Sequence, residues 1–282
     1  MYTVSGLFAI IMWGGLALLG NGTKGIPPFL LLSMCFMISA LLMFVKRIII
    51  KQRVFAPPSL TSPQWLVGLF GLFGFHFCYF MALKLAPAIE VSLIAYLWPM
   101  MLAALVATKG TVLKAIAGSI LGFIGVAFIV SAEDGMSFSH ANLSGYLLAL
   151  ACALIWSGYS WFFSRSDNNV DDIGWLSMVV ALFSFASHAL FEQAYSPDTL
   201  SEWFGIILLG LGPVGGAFYL WDMSLKRGNR KLLASLSFAA PLISSVLLSF
   251  AGYNPWSENI IIALGLILAG AAIANFPSAK RV

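Results

Sequence analysis

Prolines, one deep histidine and a set of aromatic rings carry the chemistry this chain can offer. Pro99 and Pro241 each fall near the middle of an apolar stretch about twenty residues long. A proline there has no N–H to give and crowds the carbonyl four residues back. The carbonyls of Ala95 and Ser237 should therefore lose their donors. In lipid such groups need a partner, so both stretches should face protein or a water-filled cavity at that depth. The plain reading of one such proline is a packing kink. A symmetric pair points instead to a site between the helices, with Pro99 and Pro241 as its hinges.

Rings gather around those breaks. Trp13, Tyr79, Tyr96, Trp98, Trp156, Tyr159, Tyr219, Trp221 and Phe238 are the candidate lining. Trp65, Trp175, Trp203 and Trp256 lie at span ends and suit an interfacial belt instead. A wall of amphipathic rings suits an aromatic or cationic guest, through stacking and cation–π contact. His76 lies about eight residues from the end of its span, and an intramembrane histidine is a functional candidate by default. It would donate to a carboxylate or carry a proton; the alternative is a neutral ring bonded to a nearby carbonyl.

The other charges read structurally. Asp222 and Lys226 have the i, i+4 spacing of a local ion pair, and so do His188 and Glu192. Glu90 opens a helix where its charge suits the positive dipole end; an outer gate or an ammonium contact is the other reading. Ser92, Ser235, Ser237, Ser244 and Ser245 line a pore or glue helices together, the second being commoner. No nucleotide-binding loop and no cluster of metal ligands occurs, so neither cofactor nor metal is expected. No deep carboxylate pair marks a dedicated ion-coupling site. Cys35, Cys78 and Cys152 all fall inside apolar runs and read as packing.

These residues must be held by membrane helices. Of the 282 residues, 60 % are hydrophobic and 9 % charged, with a mean hydropathy of +0.94. No soluble domain hides that much apolar surface. Ten spans can be drawn: 3–20, 28–45, 64–84, 88–108, 111–132, 143–164, 172–192, 202–225, 232–252 and 258–277. Each is long enough for a bilayer core of ~30 Å. Backbone groups in lipid must bond within their own segment, so the spans are helices. The first has a counterpart in the second half and lacks a basic leader, so no cleaved signal is expected. No loop could hold a folded domain, which leaves the function between the helices.

The chain also repeats. Residues 68–99 lie over 210–241 at a constant offset of 142, matching Gly68, Gly74, Met81, Lys84 and Pro99 to Gly210, Gly216, Met223, Lys226 and Pro241. "IMWGG" around Trp13 matches "LIWSG" around Trp156 at an offset of 143. Each unit holds five spans, and an odd number turns the second upside down. Charge tests this independently. With a cytoplasmic N-terminus, 13 of the 15 Lys and Arg fall on cytoplasmic loops or the tail, and only Lys24 and Lys84 lie outside. The net charge of +4 forms no nucleic-acid patch.

The string "AIEVSLIAYLWPMMLAAL" (88–105) resembles the fourth-helix signature of the YddG-type exporters in the drug/metabolite transporter superfamily, whose units are EamA-like. "LFAIIMWGG" (7–15), "LALACALIWSGYS" (148–160) and "SLKRGNRKLLASLSFAAPLISSVLLS" (224–249) are similar to other parts of that pattern, so the likeness covers nearly the whole chain. The resemblance implies a carrier of two inverted five-helix repeats in a bacterial inner membrane. It implies export of aromatic and other neutral amino acids, and of some cationic drugs, through a cavity built from helices 1, 3, 4, 6, 8 and 9.

The expectation is thus an all-α integral membrane protein with halves 1–142 and 143–282 and both termini cytoplasmic. It is a monomer and not an enzyme, and its partners are amino acids and the lipid bilayer. It works by alternating access, down a gradient or with weak proton coupling through His76. A carrier of the same superfamily with another substrate is the alternative; a membrane-embedded enzyme lacks an acidic neighbour for His76.

Overall fold

The computed structural model describes residues 1–108, 110–130, 139–253 and 255–276. Three residues of the charge count, Lys109, Lys280 and Arg281, lie outside the described residues.

Among the described residues nine helices are long and apolar enough to cross a membrane, and a tenth is bent. In chain order they are α1 (Tyr2–Thr23), α2 (Pro28–Ile49), α3 (Ser62–Leu85), α4 (Ala88–Val106), α5 (Val112–Val130), α6 (His140–Phe163), α7 (Asp172–Phe191) and α8 (Leu200–Arg227). Then come α9, made of Arg230–Leu236 and Ala239–Phe250 with a 43° bend between them, and α10 (Glu258–Asn275). The spans read from hydropathy are these same ten, apart from a few residues at their ends.

Local chemistry sets where they begin. α3 and α8 both open on a capping box, Thr61 with Gln64 and Thr199 with Glu202, each satisfying two orphan N–H groups. α2 opens on Pro28, and the carboxylate of Glu192 at the end of α7 accepts from the backbone N–H groups of Phe29 (2.9 Å) and Leu30 (3.3 Å).

The packing obeys a twofold relation between five-helix units. α2 lies on α7, and α5 on α10; α1 against α8 is answered by α6 against α3, and α1 against α9 by α6 against α4. The chain is therefore an all-helical membrane protein of two inverted five-helix repeats. Glycine lets α5 and α10 touch backbone to backbone. A Cβ on Gly118 would stand 2.3 Å from the carbonyl oxygen of Gly270, and a Cβ on Gly270 equally close to that of Gly118.

Two pairs of helices carry matching irregularities, and α1 has a turn of its own at Gly15. α4 is interrupted by a turn at Tyr96–Leu97 and α9 by one at Ser237–Phe238. α3 carries a π-helical segment, Phe70–Gly74, and α8 a break over Gly212–Gly215. The offset of 142 lays the second irregularity over the first. The hydropathy pattern shows neither of them, because both segments are apolar throughout.

Hydrogen bonds gather one set of connections at one end. Asp172 accepts from Ser59 at 3.0 Å, Lys226 donates to Asn168 at 2.8 Å, Lys231 to Thr111 at 3.0 Å and Arg227 to Tyr2 at 3.2 Å. Among the described residues this basic end holds Lys46, Arg47, Lys51, Arg53, Lys114, Arg165, Lys226, Arg227, Arg230 and Lys231. The opposite end holds Lys24 and Lys84.

Candidate functional site

Between the two units lies a cavity of about 320 Å³. α1 supplies Trp13, Leu16 and Gly20; α2 supplies Pro28, Leu31 and Leu32; α3 supplies Phe75, His76, Tyr79 and Phe80. α4 adds Ser92, Ala95, Tyr96 and Trp98, α6 adds Trp156, α8 adds Leu209, Pro213, Val214 and Phe218, and α9 adds Ala240. These come from helix middles and from the halves nearer Lys24, so the cavity lies toward the end opposite the basic one.

Its floor is a plug of four tryptophans. Trp13 meets Trp98, Trp156 and Trp221 with ring centroids 6.2, 5.8 and 5.1 Å apart, and Trp98 meets Trp156 and Trp221 at 6.3 and 5.9 Å. All five pairs are edge-to-face, the arrangement ring quadrupoles favour. Trp13 and Trp156 hold equivalent places in the repeat, so the plug sits at the junction of the units. Below it, Tyr159 stacks on Trp156 at 5.1 Å and packs on Phe163 at 4.8 Å, which fills the space toward the basic end.

Of the ten lining candidates, Trp13, His76, Tyr79, Tyr96, Trp98 and Trp156 line the cavity and the other four do not. Tyr159 and Trp221 are buried beneath it, and the indole N–H of Trp221 donates to Ser160 at 3.1 Å. Tyr219 turns away and donates to the carbonyl of Ser39 at 2.6 Å. Phe238 packs against Gly122 of α5 in a separate apolar cluster. On a helix wall only one face reaches the lumen, and ring type alone does not report that face.

The two prolines sit just past the turns that interrupt α4 and α9, where a missing N–H costs least. Ala95 is one of the residues that line the cavity. Ser237 does not offer a free carbonyl: it accepts from the N–H of Ala240 at 3.2 Å, because the turn tightens there.

His76 adopts the bonded form. Its Nδ1 lies 2.6 Å from the carbonyl oxygen of Leu72, inside the π segment. A carbonyl only accepts, so Nδ1 carries the proton, and in the neutral ring Nε2 keeps its lone pair. Nε2 has no hydrogen-bond partner among the described residues, and His76 is part of the cavity wall. Tyr79 hydrogen-bonds Ser92 at 3.2 Å. Trp13 donates through Nε1 to the carbonyl of Pro213 at 3.1 Å, in the break of α8.

The structural charges pair as their spacing implies. Asp222 meets Lys226 at 2.8 Å and His188 meets Glu192 at 2.9 Å. Glu90, buried in the first turn of α4, accepts from the Tyr146 hydroxyl at 2.5 Å. Sequence reasoning missed the cavity contributions of Phe75, Phe218 and Pro213. The "GPVG" string at 212–215 was the available signal for the last.

An inverted helical repeat around a ring-walled cavity, closed at one end by a plug, defines a membrane carrier for small molecules. The chain belongs to the EamA-like transporter family, whose profile matches residues 2–131 and again 143–276. Over 97% of its length it is 40% identical to a protein of Ancylobacter novellus named aromatic amino acid exporter YddG, of which 96% is covered. A protein of the same name in Salmonella typhimurium is 24% identical over 94% of this chain and 95% of its own length. A solved crystal structure with 38% sequence identity superposes with a TM-score of 0.91, covering 97% of this chain and 96% of that one.

Proposed function

We propose that this protein exports aromatic and other neutral amino acids from the cytoplasm by alternating access. The observation that carries the reading is the cavity itself, a small chamber walled by rings with a few uncharged polar groups among them. Rings take the side chain, while Nε2 of His76 accepts from the ammonium and the hydroxyls of Tyr79, Ser92 and Tyr96 donate to the carboxylate. Pro99 and Pro241 act as hinges as the units 1–142 and 143–282 rock. The names of the relatives support the substrate class.

The basic end is the cytoplasmic one by the positive-inside rule, with both termini there and the open cavity facing out across the inner membrane. The protein works as a monomer, and as a carrier rather than a catalyst. The test is flux of labelled phenylalanine and threonine in proteoliposomes. Both should cross faster than through protein-free vesicles; equal rates would overturn the proposal.

A further inference from the structure

The repeat offset, applied to the wall of the open cavity, yields a second set of residues. Tyr79 maps to Trp221, Phe80 to Asp222, Ala95 to Ser237 and Tyr96 to Phe238, while Leu16 maps to Tyr159 at the Trp13/Trp156 offset. These five images are buried and none lines the open cavity, whereas Phe218 and Ala240, the images of His76 and Trp98, serve both sets. When access alternates in an inverted repeat, the two units exchange conformations. The images are then what would wall a cavity facing the basic end.

One of them is charged. Asp222 is 2 % exposed, and its Oδ2 lies 2.8 Å from Nζ of Lys226. Its Oδ1 is buried with no hydrogen-bond partner among the described residues. An unsatisfied buried carboxylate oxygen is costly and calls for a donor in some other state. The helix aims it at the path. Phe218, Asp222 and Lys226 follow at intervals of four on one face of α8, and Phe218 lines the open cavity. Asp222 lies one turn further along that face, past the plug.

We propose that Asp222 is the ammonium acceptor of the cavity that opens toward the basic end, a subsite for primary amines and amino acids. This rests on the carrier reading above. An incoming ammonium donates to Oδ1 and competes with Lys226 for Oδ2. Lys226 keeps the carbonyl and side-chain oxygens of Asn168, at 3.1 and 2.8 Å, as alternative acceptors. The subsite has no counterpart in the open cavity, where Phe80 holds the equivalent place. Affinity for an ammonium is therefore higher at the basic face than at the other, an asymmetry suited to loading at one side and release at the other.

The test is labelled phenylalanine flux in oriented proteoliposomes, with phenethylamine and 3-phenylpropionate as competitors. At the basic face, Asp222→Asn should raise KM roughly tenfold, as expected for a lost charge-assisted bond, and abolish competition by phenethylamine but not by 3-phenylpropionate. At the other face KM should not change. Lys226→Met, which removes the competing cation, should lower KM at the basic face; an ion pair of purely structural value predicts the same loss for both variants. Where Asp222→Asn does not fold, Lys226→Met decides. An unchanged KM in Asp222→Asn, or an unchanged or raised KM in Lys226→Met, overturns the proposal. Wild-type protein that moves no phenylalanine overturns the carrier reading instead.

Discussion

His76 and Phe218, which hold equivalent places in the two units, meet edge to face with ring centroids 6.3 Å apart. The repeat thus closes on itself at the cavity wall, with a polar ring on one side and an apolar ring on the other. Phe218 also stacks on Phe36 at 5.6 Å, so the wall behind the histidine is held by packing that does not depend on it.

That arrangement predicts the effect of His76→Phe. The larger ring meets the phenyl rings of Phe36, Phe75 and Phe218 already around the histidine, so the melting temperature of the purified protein should shift little. KM for phenylalanine should rise about tenfold, the worth of one charge-assisted hydrogen bond. In the wild type, ¹⁵N resonances of the histidine ring should show Nδ1 protonated and Nε2 bare. An unaltered KM, or the opposite tautomer, would contradict the assignment of Nε2 as an acceptor.

The bond from Trp13 to Pro213 ties α1 to the break in α8. Trp13→Phe keeps a ring in the plug but leaves the Pro213 carbonyl without its donor. Cavity water can replace that donor, so the stability cost should be small, about 1 kcal/mol. Flux should fall more than stability, because the break in α8 loses the anchor that sets its position against the plug. Parallel melting curves and initial rates of efflux check this; a variant with full flux would show that the bond is incidental.

At the basic end one carboxylate discriminates between two cations. Asp171 lies 2.5 Å from Lys46, which is 53% exposed, and 3.3 Å from the guanidinium of Arg47, which is 6% exposed. Arg47 also donates to the carbonyls of Val54 and Ala56, fixing the loop between α2 and α3. Arg47→Ala leaves a buried carboxylate and two carbonyls short of a donor and should cost about 3–5 kcal/mol. Lys46→Ala should cost less than about 1 kcal/mol, and less still in high salt. Chemical denaturation of the two variants checks the ranking.

The spans were legible because lipid leaves the backbone no choice but helix, and length then follows from bilayer thickness. The breaks in α4 and α9 were legible because proline cannot donate. The π segment over Phe70–Gly74 and the break over Gly212–Gly215 were not, since an apolar string reads the same whether wound regularly or not. The site shows the same division. Trp13 and Trp156, read as lining, do line the cavity, whereas Tyr219 has the right type but hydrogen-bonds Ser39 on the far side of its helix. Pairing of a donor and an acceptor across 180 residues of chain leaves no local trace.

Contact between α5 and α10 offers the sharpest stability test, since α10 carries its own control. A methyl on Gly270 would stand 2.3 Å from the carbonyl oxygen of Gly118 and 3.0 Å from the backbone nitrogen of Gly122. Both obstacles are main chain, so relief requires the helices to part, and parting forfeits the dispersion contacts that hold helices together where lipid supplies no hydrophobic drive. Gly270→Ala should therefore destabilise the protein by about 1–3 kcal/mol, and Gly118→Ala likewise. A methyl on Gly265, earlier on the same helix, would meet nothing within 4 Å. There the gain in helix propensity acts alone, and Gly265→Ala should stabilise by about 0.5–1 kcal/mol. Melting of the two α10 variants side by side in one detergent decides the matter: shifts of opposite sign are expected, and a loss at Gly265 equal to that at Gly270 would mean that backbone approach is not what holds this pair.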